Sequence, residues 1–212
     1  YHIFIAKSKT KLSKYKSYFF TQIRRKEHLH IVLLIFISTI VTVLNKNIHL
    51  SSYLVILLSL NGIYSYELTR PLRSLDYKLN YNPIEDYIYL IISQVTVSLL
   101  FGGPIFALSI FSGSSFVDLM TIVNAMIVST AFSTLTGILF PPEKENPFTV
   151  FTSFFIVLIF MLIFGMVFFI LNLSQMGATI LILLSLVFIV LVSIQGLNKI
   201  HEEQRNLKIK RQ

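Results

Sequence analysis

The chain has 212 residues, of which 54% are hydrophobic and only 13% charged. Soluble domains run at about 45–50% apolar, so an ordinary soluble fold is excluded and one membrane-embedded domain is expected. The net charge of +8 sits beside apolar runs, where it meets anionic headgroups rather than nucleic acid, and the lack of cysteine rules out disulfides, thiolate metal sites and Cys nucleophiles.

In chain order, a basic stretch of about 30 residues precedes the first long apolar run, so no secretory signal peptide is expected. Within residues 1–27, Leu12, Tyr15, Phe19 and Ile23 recur at steps of three and four, with Lys7, Lys11, Lys14 and Arg25 mostly opposite. That spacing predicts a basic amphipathic elbow helix lying in the membrane interface. Apolar runs follow at 28–45, 48–66, 87–112, 116–140, 147–172 and 176–197, each near the roughly 20 residues a membrane-crossing helix needs. The fold class is therefore all-α integral membrane, with six transmembrane helices over 28–197. Arg24, Arg25 and Lys26 can snorkel to the boundary of the first. In the third, Gly102-Gly103-Pro104 predicts a kink or break. The last two are rich in Phe, Leu, Ile and Val and read as lipid-facing, and residues 198–212 form a charged tail.

Of the 18 Lys and Arg residues, eight lie in 1–30, three in 67–86, one in 141–147 and five in 197–211, leaving Lys46 alone on the other side. Cytoplasmic loops keep such residues, so both termini are expected in the cytosol. The loops on the far side, about 45–47, 113–115 and 173–175, are too short to build a binding domain.

Catalytic patterns are missing. No HExxH, GxSxG or Walker A sequence occurs. His201-Glu202 lies in the charged tail without a second His four residues on, and His28, His30 and His49 sit at span ends as interfacial residues. Glu85 and Asp86 are adjacent, so on a helix they point in different directions. This chain is expected to hold no catalytic or metal site of its own. The span interiors carry no ionisable residue, and Asp118 lies at an outer edge, which argues against a proton- or sodium-driven carrier. Their polar residues are neutral: Gln94, Thr96 and Ser98 on the third span, then Asn124, Ser129, Thr130, Ser133, Thr134 and Thr136 on the fourth. Small hydroxyl residues act as helix-packing glue, so these two spans read as protein-buried. Gln94, Thr96, Asn124, Thr130, Ser133 and Thr134 are the candidates for lining a translocation path.

The most informative loop follows the second span. Glu67 leaves the span, Pro71 suits a first helical turn, and Leu72, Leu75 and Leu79 share a face. Asn82-Pro83 then marks a turn before Ile84-Glu85-Asp86-Tyr87. An amphipathic helix near 68–80 between two membrane helices is the predicted element.

Basic elbow, six spans, Glu67, the coupling segment and Asn82-Pro83-Ile84-Glu85-Asp86-Tyr87 together resemble the type-2 ABC exporter permeases. The Pro141-Pro142 turn before Glu143-Lys144-Glu145-Asn146 resembles that of some Gram-positive members, in particular exporters of amphipathic peptides. The pattern departs from many relatives in lacking re-entrant helices between spans five and six. The resemblance implies a permease subunit in a bacterial plasma membrane, paired with a second permease subunit. ATP and Mg would be bound by a separate cytosolic ATPase subunit. Glu67, Arg70, Arg73 and Asp76 would hold the coupling helix against the membrane subunit or its ATPase by charge-assisted hydrogen bonds, and Leu72, Leu75 and Tyr77 would fill the ATPase groove. A non-transport scaffold or sensor subunit, or an integral-membrane lipid-modifying enzyme, remain the alternatives.

Overall fold

In an apolar setting a backbone must pair its own polar groups, and long runs of Leu, Ile, Val and Phe do so as helix. The computed structural model describes residues 11–24, 26–44, 55–76, 82–111, 116–142, 147–171 and 175–209, and these are helical almost throughout. Helices α1 (Lys11–Ile23) and α2 (Lys26–Leu44) come first. A 3-10 helix, η1 (Val55–Tyr64), then runs into the short α3 (Ser65–Leu68) and α4 (Arg70–Asp76). After them come α5 (Pro83–Phe111), α6 (Phe116–Leu139), α7 (Pro147–Leu171) and α8 (Gln175–Ile209). Three described stretches are long and apolar enough to cross a membrane: Pro83–Leu108, Leu119–Leu139 and Ile180–Glu202. They mark the chain as a membrane protein. Phe148–Phe160 is a shorter apolar helix.

Two elements differ from the sequence reading. The third apolar run does not break at Pro104, since α5 continues through it to Phe111. Pro104 faces outward, while Gly102 on the inner side lets Val55 come close enough that a Cβ there would overlap the valine methyl. The second run, read as a span over 48–66, is 3-10 rather than α from Val55 to Tyr64, with 48–54 outside the described residues. In a 3-10 helix side chains three apart eclipse, and here the rows Val55-Leu58-Asn61 and Ser59-Gly62-Ser65 are all buried. The charged tail from 198 takes a form the sequence reading left open, helical to Ile209. At 1.5 Å per residue, the 35 residues of α8 span about 52 Å, well beyond a hydrocarbon core of about 30 Å.

The closest packing is between η1 and α6. A Cβ on Gly137 would overlap the Ile63 carbonyl, and one on Gly62 would overlap the Ser133 hydroxyl. The Ser59 hydroxyl donates to Ser129 Oγ at 2.6 Å, and Ser133 Oγ donates to the Ser59 carbonyl at 2.7 Å. Small residues let membrane helices approach this closely. One end of the bundle is filled by Tyr18, Tyr66, Tyr87, Leu90, Ile138 and Leu197, the other by Ile35, Val55, Leu58, Ile105 and Met126. Helix α7 is tied back where Ser153 donates to the Phe140 carbonyl at 2.7 Å, but it exposes Phe148, Phe151, Phe154 and Phe155. Helix α8 likewise exposes Leu183, Leu184, Val187 and Phe188.

Two glycine substitutions separate the seam from the surface. Gly137→Ala must displace the Ile63 backbone and is expected to destabilise the protein by about 1–3 kcal/mol, the usual cost of overpacking. Gly103 has open space where a Cβ would go, so Gly103→Ala should be neutral or gain up to about 1 kcal/mol in helix propensity. Thermal unfolding in mild detergent would rank the two; equal losses would show that the seam tolerates a methyl group.

Candidate functional site

The start of α5 is built by Asn82-Pro83. Asn82 Oδ1 accepts a hydrogen bond from the Ile84 backbone N–H at 3.1 Å, and Pro83 takes the first helical position, where its missing N–H costs nothing. Glu85 and Asp86 then fall in the first turn, where the helix dipole favours carboxylates. Asp86 is fully buried and joins α5 to α1. Lys14 Nζ lies 3.0 Å from Asp86 Oδ1, and Tyr18 Oη donates to the same oxygen at 3.2 Å. The Lys14 ammonium also stands 5.5 Å from the centre of the Tyr89 ring, which lies 5.8 Å from that of Tyr18. Farther along α5, Tyr15 Oη donates to Thr96 Oγ1 at 3.0 Å.

This contact corrects the predicted placement of Lys14 on α1. Tyr18 and Gln22 are buried, Lys14, Tyr15, Phe19 and Ile23 are half-buried, and Phe20 is exposed. The buried carboxylate decides the matter, since it draws an ammonium and a phenol to it. Lys14, placed among the outward cations by spacing alone, is only 18% exposed.

The segment after η1 projects as a continuous helical path. Thr69 has helical dihedrals, its hydroxyl donates to the Ser65 carbonyl at 2.8 Å, and the Arg73 N–H donates to the Thr69 carbonyl at 3.0 Å. Arg73 itself is 1% exposed. Its guanidinium stacks on Tyr66, with Cζ 3.5 Å from the ring centroid, and Nη2 donates to the Tyr66 carbonyl. Leu72 packs against the cluster of Tyr18, Tyr66 and Leu90. Both residues therefore act inside the chain: Arg73 holds the segment to this chain's own Tyr66, and Leu72 packs inward rather than outward. Arg70 faces out, its Nη1 3.3 Å from Glu67 Oε1 in an exposed pair. Such a pair contributes little to stability, so both groups stay available to a partner. Of Leu75 and Asp76 only the backbone is described, and Tyr77 lies outside the described residues.

The polar residues of the third and fourth spans divide three ways. Gln94, Thr130, Ser133 and Thr134 are buried along η1. Gln94 Nε2 donates to the Leu58 carbonyl and its Oε1 accepts from Ser65 Oγ, both at 3.3 Å, so this amide clips η1 to α3. Thr96 lies under α1, and Asn124 is exposed on α6. The η1–α6 hydroxyl network, the Arg73 clamp and the Lys14–Asp86 latch are not separable from sequence spacing alone. The acidic-aromatic start of α5 and the hydroxyl-rich fourth span were the only signals for them. Among the described residues no three His, Asp or Glu side chains gather as a metal site. No protein family, curated protein or solved structure matches this chain.

Lys14→Met removes the cation from a buried carboxylate. Losing one member of a buried pair costs about 3–5 kcal/mol, discounted here because Lys14 keeps some solvent contact. Limited proteolysis should show α1 cut faster in this variant, and Lys14→Met combined with Tyr18→Phe should cost less than the two singly added. Unchanged protection of α1 would mean that the latch does not hold it.

Proposed function

We propose that the chain is the membrane-spanning permease subunit of an ATP-driven exporter, working in a bacterial plasma membrane on amphipathic or hydrophobic peptides or toxic compounds. The observation that carries this reading is the helical path from η1 through Thr69 into α4, clamped by Arg73 on Tyr66. A partner gripping the exposed Arg70–Glu67 corner would move α4 together with η1 and the seam on α6. In this reading six helices cross the bilayer, with α2, η1 and α7 joining the three long apolar stretches. Both termini lie in the cytosol, and α1 is the elbow helix. Two such subunits pair, and separate ATPase subunits bind ATP and Mg on the cytosolic side.

The buried polar seam bears on the path. Thr130, Ser133 and Gln94 spend their hydrogen bonds within the chain, which makes them structural. Asn124 is exposed on α6, and this reading assigns it the contact with a second copy or a moving substrate. The same closed seam favours a second reading, a scaffold or sensor subunit that docks a partner through α4 without transport.

Purification with mild crosslinking, followed by assay of nucleotide hydrolysis, separates the readings. The exporter reading expects a co-purifying ATPase, and it expects Arg70→Glu to lower substrate-stimulated hydrolysis by about tenfold, as truncating a binding hot spot would, without loss of folding. Arg73→Glu should instead reduce the yield of folded protein, because it sets a buried carboxylate against the Tyr66 ring and carbonyl in place of the cation. A partner retained without ATPase activity would favour the scaffold.

Orientation has its own test, helped by the absence of cysteine. A single thiol introduced by Lys46→Cys should react with a membrane-impermeant maleimide in intact cells, and one introduced by Lys199→Cys should react only after the cells are opened. The reverse pattern would overturn the orientation.

A further inference from the structure

Helix α1 has an outward face that none of the contacts above uses. Lys16, Phe20 and Arg24 recur at steps of four, and all three are exposed. Phe20 is 51% exposed, and the Arg24 guanidinium lies 6.0 Å from its ring centroid. The two cations stand about 12 Å apart along the helix, with an aromatic ring between them.

The depth of this face follows from α5. Its apolar stretch Pro83–Leu108 has 26 residues, about 39 Å of helix, against a hydrocarbon core of about 30 Å. About six residues must lie outside the hydrocarbon, and the first turn, with Glu85 and Asp86, is the end suited to do so. Lys14 and Tyr18 pin α1 to Asp86 and Tyr15 reaches Thr96 farther along α5, which sets α1 beside the first half of α5, at the edge between headgroups and hydrocarbon. A face with two exposed cations and an aromatic ring at that level is complementary to anionic lipid.

We infer that the Lys16–Phe20–Arg24 face of α1 is a binding surface for anionic phospholipid headgroups, with Lys16 and Arg24 contacting phosphate and Phe20 entering the acyl boundary. The inference rests on the membrane orientation proposed above and is independent of the exporter reading.

The chain contains no tryptophan, so Phe20→Trp introduces a single indole at an exposed site. The full-length variant would be placed in nanodiscs of mixed phosphatidylglycerol and phosphatidylcholine, with bromine on the acyl chains of one lipid or the other. Quenching by brominated phosphatidylglycerol should exceed its share of the mixture, with local enrichment of up to about thirtyfold for two cations near the surface. The excess should vanish in the background of Lys16→Gln and Arg24→Gln, and shrink in high salt. Quenching in proportion to composition would overturn the inference and leave α1 as a helix immersed without selectivity. Quenching by neither lipid would overturn it too, by placing the face off the bilayer, for example against an acidic protein partner. The maleimide pattern at Lys46→Cys and Lys199→Cys reports separately whether the orientation itself stands.

Discussion

Backbone-to-backbone contact between η1 and α6 is the constraint on which the rest of the structure depends. Two glycines make it possible, Gly62 on one side and Gly137 on the other, each set where a methyl group would strike its neighbour. Between lipid-facing helices there is little hydrophobic gain from association, so close packing and hydrogen bonds must supply the attraction. Both are present along this seam. Ser59 meets Ser129, Ser133 reaches the Ser59 carbonyl, and Thr130 turns back on its own helix to the Met126 carbonyl at 2.8 Å. Each hydroxyl that satisfies a partner here would otherwise be a costly polar group in an apolar surrounding.

The seam also explains why the outer helices need so little polar chemistry. Leu119–Leu139 is the most enclosed of the three long apolar stretches, 61% buried, whereas Ile180–Glu202 is 17% buried. With α6 enclosed by η1 on one side and by Ile189 and its neighbours of α8 on another, α7 and α8 are left to present Phe, Leu and Val outward. An exposed apolar surface of this extent on a soluble protein would mark an aggregation hazard. On a chain with long apolar helices it is the surface that lipid covers.

Much of this architecture was legible in the sequence, and the losses have physical causes. The apolar runs marked the long helices because hydrophobic length is a one-dimensional property. Asn82-Pro83 marked the start of α5 because the cap and the proline act locally. The hydroxyl-rich fourth span pointed to a buried helix. Whether Arg73 is held by this chain or by a partner was not legible, because spacing cannot distinguish an outward cation from one folded back on a ring seven residues earlier. Lys14 was placed outward for a related reason: Asp86, distant in sequence, draws in an ammonium that periodicity sets opposite the apolar stripe. The 3-10 form of η1 was hidden because its three-residue rows become visible only against the helix that buries them.

The form of η1 bears on how α4 is joined to the membrane. A 3-10 helix rises about 2.0 Å per residue against 1.5 Å in an α-helix, so the ten residues Val55–Tyr64 climb about 20 Å where an α-helix would climb about 15 Å. Long 3-10 runs are uncommon because their hydrogen bonds are poorly aligned. This one is held from outside, by Gln94 on the Leu58 carbonyl and by Ser133 on the Ser59 carbonyl. Its far end passes into α3 and α4 without reversing, and Arg73 closes that junction on Tyr66. From the exposed Arg70 corner to the α6 seam the described backbone is therefore joined by consecutive helical turns and buried hydrogen bonds. The junction that positions α4 and the contacts that hold η1 are parts of one hydrogen-bonded path.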